Sequence, residues 1–185
     1  MRRCGSGHRL TRDIAGGQPC VTEVILSRQP KIPLEQNGIT YNTIVKRARV
    51  VLDTNILVSA MRSRRGSSFC LVGEIGRGRF EIVVSVPLVV EYEAALLEHR
   101  PPNVSPRDVA VVLDYVCTEA HEQEIYYLWR PLLRDPKDDM VLEVAVAGQC
   151  DTIVTHNVGD FDGAQQFGIR IVRPFDFLRE IGILP

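Results

Sequence analysis

The sequence predicts an α/β protein with a parallel central sheet. Four short apolar runs rich in β-branched residues recur without strict polar alternation, at residues 49–53, 80–85, 151–156 and 169–174. Runs of this kind are typical of strands that are buried on both faces of a parallel sheet. Helix-like stretches separate them, and strands that alternate with helices indicate parallel pairing through right-handed crossovers.

The helices are predicted from their apolar content and from the residues at their starts. They cover residues 66–79, 87–99, 105–120 and 136–149. Ser105 and Pro106 are a favourable pair at a helix start, because Ser caps the first amides and Pro fits the first helical position. A further short strand is predicted at residues 123–128.

The first part of the chain differs in composition from the rest. It is rich in Gly and Pro and contains a single short apolar patch at residues 21–26. We therefore predict a flexible or weakly ordered N-terminal extension over residues 1–47, followed by one domain over residues 48–185. The total length of 185 residues suits one domain and a tail.

Composition favours a cytoplasmic protein. No apolar run reaches the roughly 18–20 residues that span a bilayer, so no membrane association is expected. The N-terminal region lacks the apolar core of a signal peptide. The five cysteines lie far apart and form no C-x-x-C pair. A disulfide framework or a cysteine zinc site is therefore disfavoured, and a reducing compartment fits better.

The net charge of −1 conceals an asymmetry along the chain. Residues 1–48 carry eight Lys or Arg and three Asp or Glu, whereas residues 49–185 carry fourteen and twenty. An acidic domain is an unusual binder of nucleic acid, because contacts to phosphate normally supply much of the affinity. An enzyme that holds a divalent cation is the exception, since it must concentrate carboxylates and the bound metal reverses the local charge.

Polar residues near the carboxyl ends of the predicted strands should meet at one edge of the sheet, where functional groups gather in parallel α/β proteins. In chain order these residues are Asp53, Glu91, Asp138, Asp139, Asn157 and Asp160. Carboxylates brought together repel one another unless a cation compensates their charge. Oxygen ligands suit Mg²⁺ or Mn²⁺ better than zinc, so this edge is a candidate metal site.

Each acid also has a structural explanation. Asp53 would serve well as a helix N-cap, although a carboxylate between two apolar runs needs a stronger reason than solvent exposure. Asp138 or Asp139 could complement the dipole at a helix start. Glu91 could be a solvated helix residue, but it has apolar neighbours on both sides. We therefore retain a shared site as the working hypothesis.

The segments around these acids carry recognisable motifs. They read VVLDTNILVSA, VSVPLVVEYEAAL and RDPKDDMVLEVAVAGQCDTIVTHNVGDF. In this order they resemble the PIN-domain nucleases, in the bacterial toxin branch related to VapC. The resemblance covers about residues 48–180. It implies a three-layer α/β/α PIN-like fold with a central parallel β-sheet.

The resemblance further implies a metal-dependent endoribonuclease that hydrolyses RNA phosphodiester bonds with Mg²⁺ or Mn²⁺. The family's catalytic and metal-binding acids fall on Asp53, Glu91, Asp138 and Asp160, with Asp139 and Asn157 as further metal candidates. Many relatives have an acid where this chain has Asn157, so the fourth ligand stays open between Asn157 and Asp160. A toxin of this branch implies an RNA substrate and a small antitoxin partner, and the apolar helices make a homodimer a further candidate.

Two groups of residues are candidates for supporting this chemistry. Small polar residues at strand ends would orient the carboxylates or touch phosphate, or else serve as turn and cap residues; they are Thr54, Asn55, Ser85 and Thr155. Arginines that follow the first motif would grip the RNA backbone, or else form a solubilising loop; they are Arg62, Arg64, Arg65, Arg77 and Arg79. His156 is a candidate substrate contact.

Other functions were weighed against the nuclease. A haloacid dehalogenase-type phosphatase would need a second acid two positions after Asp53, where this chain has Asn55. A non-catalytic PIN-like module that binds RNA or protein would be expected to have lost acids of this set. At least three of them are present in this chain. A housekeeping RNA-processing nuclease would carry the same residues as a toxin, and the sequence leaves this alternative open.

Overall fold

The computed structural model describes residues 47–128 and 130–185. The predicted extension at residues 1–47 lies outside this described part, apart from Arg47, and its flexibility stays a prediction. Within the described part, no helix has the length and apolar content needed to cross a membrane.

Five strands form one sheet in which every pair is parallel. They are β1 (Ala48–Leu52), β2 (Phe80–Val84), β3 (His121–Glu122), β4 (Thr152–Val154) and β5 (Arg170–Val172). Their order across the sheet is β3-β2-β1-β4-β5. In the register, Val50 pairs with Ile82 on one side and with Thr152 on the other. The predicted parallel α/β fold is confirmed.

Within residues 47–128 and 130–185, six helices connect and flank the strands. They are α1 (Thr54–Arg62), α2 (Ser67–Val72), α3 (Val86–His99), α4 (Pro106–Glu119), α5 (Pro136–Ala147) and α6 (Pro174–Glu180). Two 3-10 turns, Val158–Phe161 and Ala164–Phe167, follow β4. The start of α4 is a capping box, because Ser105 accepts from the Asp108 amide and the Asp108 side chain accepts from the Ser105 amide.

One predicted helix and one predicted strand differ clearly from the observed elements. The helix predicted over residues 66–79 ends at Val72, and the chain then turns through Gly76 and Gly78, whose φ angles of 75° and 78° favour glycine. The strand predicted at residues 123–128 is wrong. Pairing occurs at His121–Glu122, and the Gln123 amide makes a further hydrogen bond to the carbonyl of Val84, where β2 ends. Beyond this point the chain has no partner strand in β2, because α3 begins at Val86.

The central strands explain why the apolar runs lack alternation. Val50, Val51, Val83, Ile153 and Val154 are all fully buried. Right-handed crossovers from β1 through β3 place α1 to α4 on one face, and the return from β3 to β4 places α5 on the other. The sheet therefore has helices on both faces, as the three-layer prediction requires.

This strand order places a crevice beside β1. The chain leaves β1 towards β2 on one side, and after β3 it crosses to β4 on the other side. Beyond the carboxyl ends of strands at such a reversal, the connections diverge and leave room for a ligand. Asp53 follows β1 directly, and Thr155 follows β4 directly, so both lie at this opening.

Candidate active site

Asp53 ends β1 and begins α1, but its side chain serves neither element. Its amide donates to the Val154 carbonyl at 2.9 Å, which continues the pairing of β1 with β4. The residue occupies the N-cap position of α1, yet its side chain makes no capping hydrogen bond. Only 6% of the residue is exposed. The carboxylate is thus held at the end of the sheet for a reason other than capping.

A hydrogen-bond network orients this carboxylate. Asp53 Oδ2 accepts from Thr155 Oγ1 and from Asn55 Nδ2, both at 2.6 Å. Thr155 Oγ1 in turn accepts from the Asn157 amide at 2.9 Å, and Asn55 Oδ1 accepts from the His156 amide at 3.3 Å. The structure therefore places the predicted supports Asn55 and Thr155 directly against Asp53.

The ionisation of Asp53 reflects two opposing effects. Burial raises the pKa of the carboxyl, and the hydrogen bond from Thr155 lowers it, although not enough to cancel the rise. The negative charge of Asp160 adds a smaller upward contribution. A cation near Asp53 would favour its ionised form.

A second anchor fixes the end of β1 from the helix side. The Tyr92 hydroxyl on α3 donates to the Leu52 carbonyl, next to Asp53. Tyr92 is 1% exposed, and burial raises its pKa well above the usual value, so the hydroxyl stays protonated. The contact sets the position of α3 against β1, and with it the position of Glu91.

The acids from separate elements line one cavity of about 290 Å³. Its carboxylate lining consists of Asp53, Glu91, Asp135 and Asp138, and its remaining lining includes Thr54, Asn55, Ser59, Arg62, His99, Lys137 and Asn157. Three of the predicted site acids thus come together from β1, α3 and α5. The convergence follows from the parallel topology, which brings the carboxyl ends of β1 and β2 to the same edge.

Asp138 is the acid whose ionisation is most perturbed. Burial is the largest cause, followed by the negative charge of Asp53 and smaller effects of Asp135, Asp160 and Asp139, and together they raise its pKa to about 7. Its carboxyl group therefore carries a proton much of the time near neutral pH unless a positive charge approaches. This is the electrostatic signature of uncompensated carboxylates.

The negative charge of Glu91 is compensated by a lysine of the same chain. Lys137 Nζ lies 2.8 Å from Glu91 Oε1, and this interaction raises the pKa of Lys137. Lys137 is the second residue of α5, next to Asp138. Lys137 was not among the predicted site residues, although its place in the P-K-D-D stretch could have suggested it. Asp135, His99 and Ser59 were missed in the same way.

Asn157 and Asp160 occupy different places. Asn157 lines the cavity, whereas Asp160 does not line it and is exposed in the 3-10 turn Val158–Phe161. Asp160 is nevertheless close enough for its charge to raise the pKa of Asp53 and of Asp138. The turn holds the two together, since the Asp160 amide donates to the Asn157 carbonyl at 3.0 Å.

Asp139, predicted as a further metal ligand, lies elsewhere. Its Oδ1 accepts from the amides of Leu132 and Leu133 at 3.2 and 2.8 Å, and the residue is 3% exposed. One turn later Glu143 pairs with Arg130 at 3.1 Å. Both acids bind the segment that precedes α5, and Asp139 does not line the cavity with Asp53 and Asp138, so its role as a metal ligand stays a prediction.

Ser85 does not lie with the other residues that were predicted to orient the carboxylates. Its hydroxyl accepts from the Leu88 amide at 3.4 Å and caps α3. Ser85 does not line the cavity with Asp53, whereas Thr54 does. Of the two readings that the sequence left open for Ser85, the structure gives the cap.

The predicted arginine cluster separates into two groups. Arg62 lines the acidic cavity, and together with Arg64 and Arg65 it lines an adjoining hollow. Arg77 and Arg79 precede β2 and therefore lie at the opposite edge of the sheet, where each pairs with Glu74 at 3.5 and 3.6 Å. This corrects the single RNA-binding cluster: only the first three arginines lie near the site.

His156 is held by α2. Its Nε2 lies 2.8 Å from Ser68 Oγ, and Ser68 is 3% exposed. The ring is exposed at the end of β4 beside the network around Asp53. Its role as a substrate contact stays a prediction.

The donor set suits a hard divalent cation, because the carboxylates and Asn157 offer oxygen ligands. In the described residues, no three His, Cys, Asp or Glu side chains are grouped closely enough to form a ready-made metal cluster. Glu91 is instead paired with Lys137. Burial and the neighbouring carboxylates raise the pKa of Asp138 although Lys137 and Arg62 also line the cavity, and a divalent cation would oppose that rise.

Comparison with known proteins gives two findings and one negative result. The family model of the PIN domain matches residues 49–159, which is more than half of the chain. Among solved structures, the chain is similar to VapBC2 from Rickettsia felis bound to a DNA fragment from its promoter, at 15% sequence identity and a TM-score of 0.49. That match covers 68% of this chain and 98% of the other. A search among curated proteins found no match.

Proposed function

The chain belongs to the PIN domain family, and on that premise we propose that it is a metal-dependent ribonuclease that hydrolyses RNA phosphodiester bonds. We propose further that it is the toxin component of a toxin–antitoxin system. Membership of the family supports nuclease activity and the general use of a divalent metal ion. The RNA substrate, the choice of Mg²⁺ or Mn²⁺ and the toxin role are parts of the proposal.

The observation that carries the nuclease proposal is the convergence of Asp53, Glu91 and Asp138 on one cavity. These acids come from three elements that are distant in sequence, and the ion pair of Glu91 with Lys137 does not explain why Asp53 and Asp138 share the cavity. Asp53 and Asp138 would hold the metal first, with Glu91 joining them, and Asn157 or Asp160 completing the set. A bound Mg²⁺ or Mn²⁺ lowers the pKa of a water molecule and polarises the phosphate.

The surrounding residues have defined tasks in this proposal. Thr155 and Asn55 hold Asp53 Oδ2 in a single orientation, which fixes the direction in which its other oxygen points. Arg62, beside the cavity, is placed to bind a backbone phosphate adjacent to the acids. Arg64 and Arg65 extend this basic surface over the adjoining hollow.

The toxin assignment rests on the order and spacing of the three sequence motifs. It implies a small antitoxin protein as the partner, and a homodimer is a further candidate assembly. A short open reading frame next to the gene would support the assignment.

The nuclease is tested with purified wild type beside Asp53→Asn and the control Asp162→Asn, an exposed acid outside the cavity. We expect wild type and the control to cleave RNA with Mn²⁺ or Mg²⁺, and Asp53→Asn to lose at least about a hundredfold in rate. Cleavage that persists in EDTA, or in Asp53→Asn, would contradict the proposal.

The growth of bacteria that express the protein distinguishes a toxin from a housekeeping enzyme. Induced expression of wild type in bacteria should arrest growth, and expression of Asp53→Asn should not. RNA cleavage in vitro without growth arrest would favour the RNA-processing alternative. RNA binding without cleavage, with or without metal, would favour the non-catalytic module.

A further inference from the structure

The cavity contains one cation that is paired with a site acid. Lys137 Nζ lies 2.8 Å from Glu91 Oε1, and both residues line the cavity with Asp53 and Asp138. The Glu91 side chain is 17% exposed, so the ion pair is partly shielded from water, whereas the Lys137 side chain is 66% exposed. An ammonium on a flexible stem is suited to leave its partner when another cation arrives.

The position of Lys137 differs from that of the other cation beside the acids. Arg62 also lines the cavity, but it donates to the His99 carbonyl at 3.4 Å and forms no ion pair with a cavity acid. Lys137 is the first-turn neighbour of Asp138 and reaches across from α5 to Glu91 on α3. It therefore joins the two helices that supply the second and third acids.

A metal ion and the Lys137 ammonium have the same target. The Glu91 carboxylate is engaged by Lys137, and no three His, Cys, Asp or Glu side chains among the described residues form a metal cluster. Binding of an ion by Glu91 together with Asp53 and Asp138 would require the carboxylate to turn away from Lys137. Two cations that compete for one carboxylate make metal binding weaker by the free energy of the pair that must break. The ion pair stabilises the metal-free protein, because it compensates the negative charge of Glu91.

We propose that Lys137 is a positioning residue that competes with the divalent cation for Glu91 and thereby sets the metal affinity of the site. The inference rests on the proposed function, since it takes the cavity to be a metal site. Without metal, Lys137 neutralises Glu91 and holds α5 to α3. With metal, Glu91 turns to the ion and Lys137 is released towards solvent.

The test is a calorimetric titration of the full chain with MnCl₂ after removal of metal by EDTA. Lys137→Met should bind Mn²⁺ roughly two- to fivefold more tightly than wild type, the range that a partly exposed ion pair accounts for. Lys137→Arg keeps the charge and should stay within about twofold of wild type. Circular dichroism and the melting temperature check that each variant is folded.

The matched control is Arg62→Met, which removes a positive charge from the same cavity without breaking an ion pair to an acid. We expect it to change the affinity for Mn²⁺ less than Lys137→Met does. An equal gain in both variants would mean that the general field of the cavity, and not the pair with Glu91, sets the affinity, and would overturn the inference.

A double-mutant cycle isolates the role of Glu91. In the Glu91→Gln background, Lys137→Met should give no further gain in Mn²⁺ affinity, because the competition has already been removed. A full gain in that background, or no gain in the wild-type background, overturns the inference while leaving the metal site intact. Absence of saturable Mn²⁺ binding in every variant overturns the proposed function, and the inference with it.

Discussion

Thr155 Oγ1 donates a 2.6 Å hydrogen bond to Asp53 Oδ2, across 102 residues of sequence. The two residues follow the neighbouring strands β4 and β1, so the contact closes the edge of the sheet at which the acids gather. It opposes the effect of burial on the pKa of Asp53. Thr155 thereby helps to decide the pH at which Asp53 carries the charge that a cation requires.

Thr155→Val should move the acidic limb of the pH–rate profile to higher pH. Loss of the hydrogen bond removes an effect that lowers the pKa of Asp53, so that pKa rises further and a smaller fraction is ionised at a given pH. The measurement is kcat/KM against pH with subsaturating Mn²⁺, so that the proton and the ion compete for Asp53. Thr152→Val, at the start of the same strand and hydrogen-bonded to Arg170, is the matched control. Coincident acidic limbs for Thr155→Val and wild type would contradict the assigned role.

Asp138→Asn should stabilise the metal-free protein at pH 8. The pKa of Asp138 is raised from 3.8 to about 7 on folding. Between these pH values the folded state holds more protons than the unfolded state, so the free energy of unfolding falls as pH rises from about 4 to about 7. Asp138→Asn removes this pH-dependent fall in the free energy of unfolding. The melting temperature in EDTA should therefore exceed that of wild type at pH 8, with a smaller difference at pH 5.

Addition of Mn²⁺ should reverse the order at pH 8. The ion binds the folded wild type and raises its melting temperature, whereas Asp138→Asn lacks a predicted ligand and should respond less. Asp162→Asn serves as the control for both measurements, because it removes an exposed carboxylate outside the cavity. Equal responses of wild type and Asp138→Asn to Mn²⁺ would remove Asp138 from the metal site.

Asp139→Ala should destabilise the fold without metal. Its carboxylate accepts from two backbone amides, of Leu132 and Leu133, and the residue is buried. Unsatisfied buried donors cost about 1–3 kcal/mol of unfolding free energy. Urea denaturation in EDTA measures this loss, and Asp138→Ala is the neighbouring control that should show none. A neutral Asp139→Ala would contradict the structural role assigned to Asp139.

The arginines should differ in their effect on RNA binding according to the edge of the sheet at which they lie. Arg62→Gln and Arg65→Gln should each weaken binding and reduce the slope of log affinity against log salt by about 0.7, the value for one phosphate contact on a single strand. Arg79→Gln, at the other edge and paired with Glu74, should leave both unchanged. Fluorescence anisotropy with a labelled RNA measures affinity and slope, and an effect of Arg79→Gln equal to that of Arg62→Gln would reject the division.

The main acids were predictable because parallel topology constrains them strongly. Once residues 49–53 and 151–156 are recognised as neighbouring buried strands, the residues that follow them must share an edge. Asp53 and Thr155 illustrate this, since their contact needs only the strand ends and the pairing of β1 with β4. The prediction of a strand at residues 123–128 was wrong because the extent of this strand depends on where its partner β2 ends. Local composition does not report where β2 ends.

The sequence alone determined the parallel α/β fold, the family, and the set of acids that could share a site, because strand periodicity and motif order are properties of the chain itself. The resemblance gave Asp138 as a main acid and Asp139 as a further candidate, but only the tertiary structure showed which of them meets the cavity, since consecutive helical residues point about 100° apart. The tertiary structure also places Arg79 at the opposite edge of the sheet and Lys137 against Glu91. Such contacts depend on the rotation and position of whole helices, which packing against the sheet sets.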